Sequence, residues 1–260
     1  VGETIEYEVE ISESGANAWT NYATTTSRMQ RLEHINLNTE YDVRVRTVCS
    51  DANSEWNTIS FKTKSCTGAG DIDSTTVPNS LLVGDTTTDY CYNGIPVNPY
   101  YGYSFTQQIF LAEELANLGT LSSISFENVT DITATRNIAI YLSTTNQGEM
   151  SNFIAGNNML EVFNGSVTFN TGWNTINFST LYPYGGNGNL LITVIDNTGS
   201  YLNTYPEFSV HNAGGNKTMR AQNDYGSYSP AGLPNSGTQY NMRNNIILNG
   251  YPCDTNTDNA

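Results

Sequence analysis

Histidine, the side chain best suited to acid–base chemistry at neutral pH, is rare in this sequence. The chain has two histidines, His34 and His211, and neither stands in the HExxH pattern that places two zinc ligands on one helix face. Glu113 and Glu114 are adjacent, so their side chains point apart and do not form the facing carboxylate pair of glycoside hydrolysis. The sequence therefore predicts no catalytic residue and a protein that is not an enzyme.

Calcium is the one metal that the acidic residues suggest, because it prefers carboxylate and carbonyl oxygens. Residues 68–73 alternate small residues with Asp71 and Asp73, but they lack the spacing and the terminal glutamate of an EF-hand loop. A polar interdomain turn is the alternative for this segment. Asp196, at a strand end before a Gly-containing turn, is a second calcium candidate. No other cofactor is expected.

Tyrosines suggest a binding surface. Residues 96–110 are dense in Tyr, and we expect Tyr103 and Phe105 to pack on the faces of a strand. Tyr100 and Tyr101 either do the same or form a stacking platform for sugars. Residues 212–240 read as one long loop, which is usually functional or mobile. The candidate ligand-binding residues are Tyr100, Tyr101, Asn223, Asp224, Tyr225 and Tyr228.

The four cysteines are Cys49, Cys66, Cys91 and Cys253. None forms a CxxC pair or lies near a histidine, so disulfides are expected rather than zinc. Four cysteines allow three connectivities, and spacing does not choose among them. A bond from Cys66 or Cys91 to Cys253 is one expectation.

Composition favours an extracellular β protein. Of the 260 residues only 13% are charged, and the net charge is −15. Thr, Asn, Ser, Gly and Tyr replace the missing charges, as in secreted proteins with many turns. An acidic surface repels nucleic-acid phosphates and anionic lipid, and no apolar run approaches the roughly 20 residues of a membrane span. Nucleic-acid binding and membrane insertion are therefore not expected.

Period-two alternation runs through most of the chain and predicts an all-β protein with two β-sandwich modules. We place the modules at residues 1–65 and 66–253, with 254–260 as a linker or tail. Strands in the second module are expected at residues 121–127, 137–143, 160–169, 173–178, 189–196, 207–211 and 244–248. This spacing indicates a jelly-roll-like sandwich, with 189–196 as a central strand because residues 190–195 are almost continuously apolar.

The first module resembles a fibronectin type III module. The matching residues are Leu37, Thr39, Tyr41, Val43 and Val45, followed by residues 59–63. The resemblance implies that Tyr41 is the tyrosine-corner residue and that the first two strands of the family lie before Val1. We therefore expect an open sheet edge, a longer parent polypeptide, and a Cys49 whose usual partner is missing here.

The second module is similar to a sandwich module found in large secreted and surface proteins of Bacteroidetes. The resemblance is carried by residues 96–110, 112–114, 119–126, 136–142, 165–167, 172–176, 189–191, 196–201 and 243–246. It implies an extracellular, noncatalytic role within a multidomain protein. It also implies O-glycosylation at Ser74 and Thr86, which follow aspartates.

Three functions fit these expectations. The first is a noncatalytic adhesion or binding fragment that recognises a glycan or a host or cell-surface protein. The second is a structural unit that assembles with further domains of the same polypeptide, or self-associates through the open edge of the first module. The third is an accessory module of a larger secreted hydrolase.

Overall fold

The computed structural model describes residues 5–30, 32, 35, 39–49, 53–63, 79–85, 91–92, 94–115, 118–155, 159–186 and 188–251. The chain separates into two compact units, Val1–Ser65 with Asp254–Ala260, and Cys66–Cys253, which we call unit 1 and unit 2. Every strand pairing is antiparallel, and the one helical element is a short 3₁₀ turn within the described residues. The prediction of an all-β protein is confirmed.

Several predicted features lie outside the described residues. They are His34, the calcium candidates Asp71 and Asp73, the glycosylation candidates Ser74 and Thr86, the cysteines Cys66 and Cys253, and the tail 254–260. The side chain of Cys91 lies outside them as well. Cys49 carries an exposed free thiol. These disulfide, calcium-loop and glycosylation expectations stay predictions.

Unit 1 contains four strands, which form one sheet in the order β2-β1-β3-β4. Their bounds are β1 Glu6–Glu13, β2 Thr20–Thr25, β3 Glu40–Val48 and β4 Asn57–Lys62. Tyr41 is buried and stacks on Phe61 with ring centroids 6.1 Å apart. No second sheet is found in the part of unit 1 that the structure describes, where the predicted sandwich appears as a single layer.

The two faces of this sheet differ because side chains alternate along each strand. On one face Val9 is opposite Val45 and Val43 is opposite Ile59, which is 64% exposed. The other face carries two ion pairs and two indoles that stack on the guanidinium groups. These residues are Glu8, Glu10, Arg44, Arg46, Trp19 and Trp56. The polar face is thus covered by its own side chains, while the apolar face is partly open.

Unit 2 is a sandwich of two antiparallel sheets. Its strands are β5 Asn79–Val83, β6 Cys91–Tyr92, β7 Tyr103–Phe110, β8 Thr120–Asn128, β9 Ala134–Thr145, β10 Leu160–Phe169, β11 Gly172–Pro183, β12 Asn189–Asp196, β13 Phe208–Asn212, β14 Thr218–Asn223, β15 Thr238–Tyr240, β16 Met242–Asn244 and β17 Ile246–Tyr251. One sheet has the order β10-β9-β12-β7-β14-β15. The other has the order β16-β13-β8-β17-β5, with β11 beside β8 and β6 beside β13.

The main core lies between these two sheets. Alternate residues of each sheet point inward, including Phe110, Ile140 and Val194 from one and Ile124 and Phe208 from the other. Burial of such side chains contributes roughly 25 cal/mol per Å² of apolar surface removed from water. The two sheets of unit 2 are therefore held together by an extensive apolar layer.

A second, smaller core covers the outer face of the first sheet. Residues 150–155 cross this face and bring Met150 and Ile154 onto Ile109 and Leu191. The side chain of Gln107 fixes the segment, because its Oε1 accepts from Ile154 N–H at 2.8 Å and its Nε2 donates to Ile154 O at 2.9 Å. Residues 190–196 are consequently buried on both faces, as their continuous apolar run predicts.

The predicted loop at residues 212–240 is wrong in part. β14 lies within it, paired with β7 along its whole length, and β15 lies near its end. The predicted strands at residues 160–169 and 189–196 have the observed bounds, and the others differ at their ends. A short 3₁₀ turn, Ala112–Leu115, follows β7.

Candidate functional site

Three loops meet at one end of the six-stranded sheet of unit 2. They are residues 98–102 before β7, 197–207 after β12, and 224–228 after β14, and we call this region the tyrosine end. The strand register places them together, because Ser104 of β7 is opposite Asp196 on one side and Gln222 on the other. Antiparallel pairing thus brings the start of one strand beside the ends of its two neighbours.

Tyrosines are the exposed aromatic residues of this end. Tyr100 is 51% exposed, Tyr201 is 60% exposed and Tyr225 is 99% exposed. The ring of Tyr100 makes edge contacts with Tyr101 and Tyr205, at centroid separations of 5.2 and 5.9 Å. The predicted Tyr100 and Tyr101 therefore belong to an aromatic cluster at the surface, with Tyr205 as a third member.

A buried ion pair holds two of the loops. Arg136 Nε donates to Asp196 Oδ2 at 2.7 Å, and neither side chain is more than 1% exposed. The same guanidinium donates to the carbonyls of Ser200 at 2.7 Å and Tyr101 at 2.9 Å. One buried cation thus fastens the loop that carries Tyr100 to the loop that carries Tyr201.

The geometry around Asp196 argues against the calcium site predicted there. Its Oδ1 accepts from both the amide and the hydroxyl of Thr198, at 3.0 and 2.6 Å, and its Oδ2 is taken by Arg136. Burial raises the pKa of the Asp196 carboxyl, and Arg136 and Thr198 oppose that rise. No group of three potential metal ligands occurs among the residues that the structure describes.

Hydrogen bonds also attach the third loop. Asp224 Oδ1 accepts from Gly102 N–H at 2.8 Å, and Asn223 Oδ1 accepts from Tyr225 N–H at 2.7 Å. The side chain of Asn197 bonds to both backbone groups of Tyr228 at 2.9 Å. The predicted Asn223 and Asp224 thus orient the loop, and Tyr225 is the residue that projects from it.

Tyr228 is placed differently from the prediction of an exposed contact. Its ring lies 5.8 Å from that of Phe105 and is half-buried. It also lines a mostly polar cleft of about 450 Å³ between β14 and residues 234–238. All six predicted residues therefore lie at or beside the tyrosine end. Tyr101, Asn223, Asp224 and Tyr228 act as supports or side contacts, and Tyr100 and Tyr225 are the exposed tyrosines among the six.

Gly102 allows two of the loops to approach closely. A Cβ at this position would lie 3.2 Å from the carbonyl carbon of Gly199, whose amide donates to Gly102 O at 2.8 Å. Gly199 itself has a φ of 79°, a conformation that other residues rarely adopt. The two glycines let the backbones touch where side chains would separate them.

His211 and Glu114 belong to a buried polar network away from these loops. His211 Nδ1 lies 2.8 Å from Asn245 Oδ1, and its Nε2 lies 3.0 Å from Arg243 Nη2. Arg243 also forms a two-pronged ion pair with Glu114, at 2.6 and 2.9 Å. An arginine next to Nε2 requires that nitrogen to accept, which favours a neutral His211.

Acidification is expected to weaken unit 2 through His211. Burial and the charge of Arg243 lower the pKa of His211 below 6.5, although Asn245, Glu114 and Asp85 oppose this. The unfolded state therefore takes up the proton first, and stability that is present above pH 6.5 is lost as the pH falls. The expected loss is about 1.4 kcal/mol per pH unit between the unfolded and folded pKa values.

The measurement is urea unfolding of unit 2 between pH 7.5 and 5, with His211→Gln as the matched control that removes the titrating group. The lowered pKa of Glu114 keeps that carboxylate charged throughout this range. Parallel pH profiles for the two proteins would show that His211 does not govern the effect.

Sequence reasoning missed Arg136, Tyr201 and Tyr205. For Arg136 a signal was present, because it is in phase with Ala134 and Ile138 on the inward face of its strand. Tyr201 and Tyr205 flank a short polar loop and carry no periodic signal. No helix among the described residues is long and apolar enough to cross a membrane.

No protein-family model matches the chain, and no curated protein matches it. Among solved structures, the chain is similar to a native alfa-L-rhamnosidase from Aspergillus terreus, with 11% sequence identity and a TM-score of 0.20. The match covers 83% of this chain and 22% of that chain. At this TM-score the likeness carries no argument about fold or function.

Proposed function

We propose that unit 2 is a noncatalytic binding module for uncharged glycans, and that it recognises them at the tyrosine end. The observation that carries the proposal is the set of outward-facing tyrosines, Tyr100, Tyr201 and Tyr225, on three loops that are joined by hydrogen bonds. Tyrosine offers a large amphipathic surface at low conformational-entropy cost. The apolar face of a pyranose ring packs on such a surface while its hydroxyls stay hydrated.

Preorganisation supports binding at this place. Loops that must be ordered on binding lose affinity, whereas the tyrosine end is tied down before a ligand arrives. Arg136 orders two of its loops and Asp224 orders the third. The charges of Arg136 and Asp224 are engaged in holding the loops, and this supports a binding rather than a catalytic function for unit 2.

The charge balance supports an uncharged ligand. The chain carries a net charge of −15, and Arg136 is buried in its ion pair with Asp196. An acidic surface disfavours sulfated or acidic polysaccharides. We place this binding on a secreted or cell-surface protein, in line with the composition, with a glycan-bearing surface as partner.

A glycan array screened with the full chain tests the proposal. We expect binding to one class of neutral glycan, unchanged by chelator, and weakened about tenfold or more by Tyr100→Ala or Tyr225→Ala. Trp173→Ala, at a 36% exposed aromatic residue on the opposite sheet, is the matched control and keeps full affinity. Silence on the array, or equal losses in all three variants, would contradict the proposal.

A further inference from the structure

The polar cleft beside β14 contains one residue of unpaired strand edge. β15 pairs only with residues 218–220, and the last pair is Arg220 with Thr238. Beyond that pair the chain leaves β14, and residues 234–238 form the opposite wall of the cleft. β7 pairs with β14 as far as Asn223, so the open edge lies on the side of the cleft.

Alternation along β14 shows that Gln222 turns its backbone towards the cleft. Lys217 O accepts from Ile109 N–H of β7, so the odd-numbered residues here direct their N–H and C=O groups at β7. The even-numbered residues direct theirs the other way, and Thr218 and Arg220 use them to pair with β15. Gln222 is the next even-numbered residue, and no backbone group of a described residue pairs with its N–H or C=O.

The two backbone groups of Gln222 point to the same side of the strand, and this arrangement selects the ligand. A single trans amide holds its N–H and C=O on opposite sides and can form only one of the two bonds. One residue of an extended peptide holds both groups on one side, so it can exchange both bonds with Gln222, as residues do in an antiparallel sheet. Addition of a peptide strand to an open sheet edge is a recurring mode of recognition. The cleft volume of about 450 Å³ suits a segment of a few residues.

Arg220 defines the side chain that such a peptide carries at its central position. The peptide residue opposite Gln222 places its side chain on the same face as those of Gln222 and Arg220, and a long side chain reaches such a diagonal neighbour. Arg220 is 9% exposed, its guanidinium lies 5.0 Å from the centre of the Tyr240 ring, and its Nε donates to Gln222 Oε1 at 2.9 Å. It is the one charged residue among the described residues that line the cleft. Because guanidinium groups pair preferentially with carboxylates, the central residue is a glutamate.

The neighbours of that glutamate lie against an apolar surface. Side chains alternate along a strand, so these neighbours point to the other face of the sheet, where Ala221 and Tyr228 line the cleft. Ala221 is opposite Phe105 of β7, and the Phe105 ring lies 5.8 Å from that of Tyr228. Apolar side chains on both sides of the glutamate would therefore bury surface against the cleft wall.

We propose that the cleft binds an extended peptide segment with the pattern apolar–Glu–apolar. The backbone of the peptide glutamate exchanges two hydrogen bonds with Gln222, and its carboxylate pairs with Arg220. The net charge of −15 repels acidic polymers at long range, so the segment carries one acidic residue rather than a run of them. This site is separate from glycan recognition at the tyrosine end and does not depend on it.

An NMR titration of the isotope-labelled full chain tests the pairing. The probe is the blocked peptide acetyl-Thr-Val-Glu-Val-Thr-amide. It is compared with one peptide that has a methyl group on the glutamate nitrogen and another that has glutamine in place of glutamate. We expect the probe to move the Gln222 amide proton downfield, and each modified peptide to bind about tenfold more weakly, because each lacks one of the proposed bonds. Equal binding of the methylated peptide would overturn the backbone pairing, and equal binding of the glutamine peptide would overturn the role of Arg220.

Substitutions in the protein locate the site. Gln222→Pro removes the N–H that faces the cleft but none that faces β7, and it is expected to weaken probe binding about tenfold or more. Gln222→Met keeps that N–H and is the matched control that retains binding.

A second pair of variants keeps the test decisive if Gln222→Pro does not fold. Ser236→Trp fills the cleft from an exposed position in its opposite wall and is expected to abolish probe binding, whereas Ser166→Trp at an exposed position of β10 leaves it unchanged. Full binding by Ser236→Trp, or no binding of the probe to the unmodified chain, would overturn the proposal. Shifts of the Gln222 amide that grow with protein concentration in the absence of peptide would assign the edge to a second copy of the chain and overturn it as well.

Discussion

Replacing Arg136 with methionine is expected to lower the free energy of unfolding of unit 2 by about 3–5 kcal/mol. The substitution leaves the carboxylate of Asp196 fully buried without its counter-charge. It also removes the donor from the carbonyls of Ser200 and Tyr101. Each buried acceptor left unsatisfied adds roughly 1–3 kcal/mol of desolvation cost, although such costs are not additive.

The measurement is hydrogen exchange of β9 and β12 amides, which reports the opening of unit 2 separately from unit 1. Arg44→Met in unit 1 is the control of like chemistry, because the Arg44–Glu10 ion pair is partly exposed. This substitution is expected to lower the free energy of unfolding of unit 1 by about 1 kcal/mol or less. The double variant Arg136→Met with Asp196→Leu should recover much of the loss, because it removes the stranded charge. A loss below 1 kcal/mol for Arg136→Met alone would contradict the structural role of the pair.

The same substitution has a functional consequence. Without Arg136, the loops that carry Tyr100 and Tyr201 lose their common anchor, and ordering them then opposes ligand binding. We expect glycan affinity to fall even at temperatures where unit 2 stays folded. An unchanged affinity would mean that the remaining loop contacts suffice to order the tyrosine end.

Most strands of unit 2 could be predicted because their inward residues are apolar and alternate with polar ones. β9 shows this at Ile138, Ile140 and Leu142, and β10 was predicted with its observed bounds. β12 was predicted as central from its apolar run, and it lies between β9 and β7. A run that is apolar at consecutive positions indicates burial on both faces, and here residues 150–155 cover the outer face.

β14 could not be recognised from apolar periodicity because its inward face is polar. Thr218, Arg220 and Gln222 share this face with Gln108 and Ser104 of β7. This part of the interior is stabilised by paired amides rather than by apolar contact. Gln108 donates to Asn244 Oδ1 at 2.7 Å, and Asn244 N–H donates to Gln108 Oε1 at 2.8 Å.

The loops of the tyrosine end could be predicted from the sequence, but their proximity to one another could not. Turn residues on either side of Tyr225 mark an exposed loop tip, and proline and glycine around Tyr100 mark another. The proximity of the loops depends on a strand order in which β7 lies between β12 and β14. That order joins segments about a hundred residues apart in sequence, as Gly102 and Asp224 show. Local patterns contain no information about such pairing.

Replacing Arg243 with methionine is the second change expected to cost about 3–5 kcal/mol. Its guanidinium is fully buried, donates to Ile109 O at 2.7 Å, pairs with Glu114 and lies 4.2 Å from the centre of the Phe110 ring. It therefore joins β16 to β7 and to the 3₁₀ turn. Glu114 keeps partial contact with water, which places the expected cost at the lower end of this range.

The effect on His211 separates this role from loss of packing alone. The positive charge of Arg243 helps to lower the pKa of His211, so its removal should raise that pKa. An NMR titration of the imidazole protons measures the shift. Acid destabilisation through His211 should then span a narrower pH range, because the folded-state pKa lies closer to the unfolded value. Glu114→Gln is the matched control that keeps Arg243 and removes the opposing negative charge, so it should lower the pKa of His211 further. Shifts of the same sign in both variants would contradict an electrostatic coupling and leave only a packing role for Arg243.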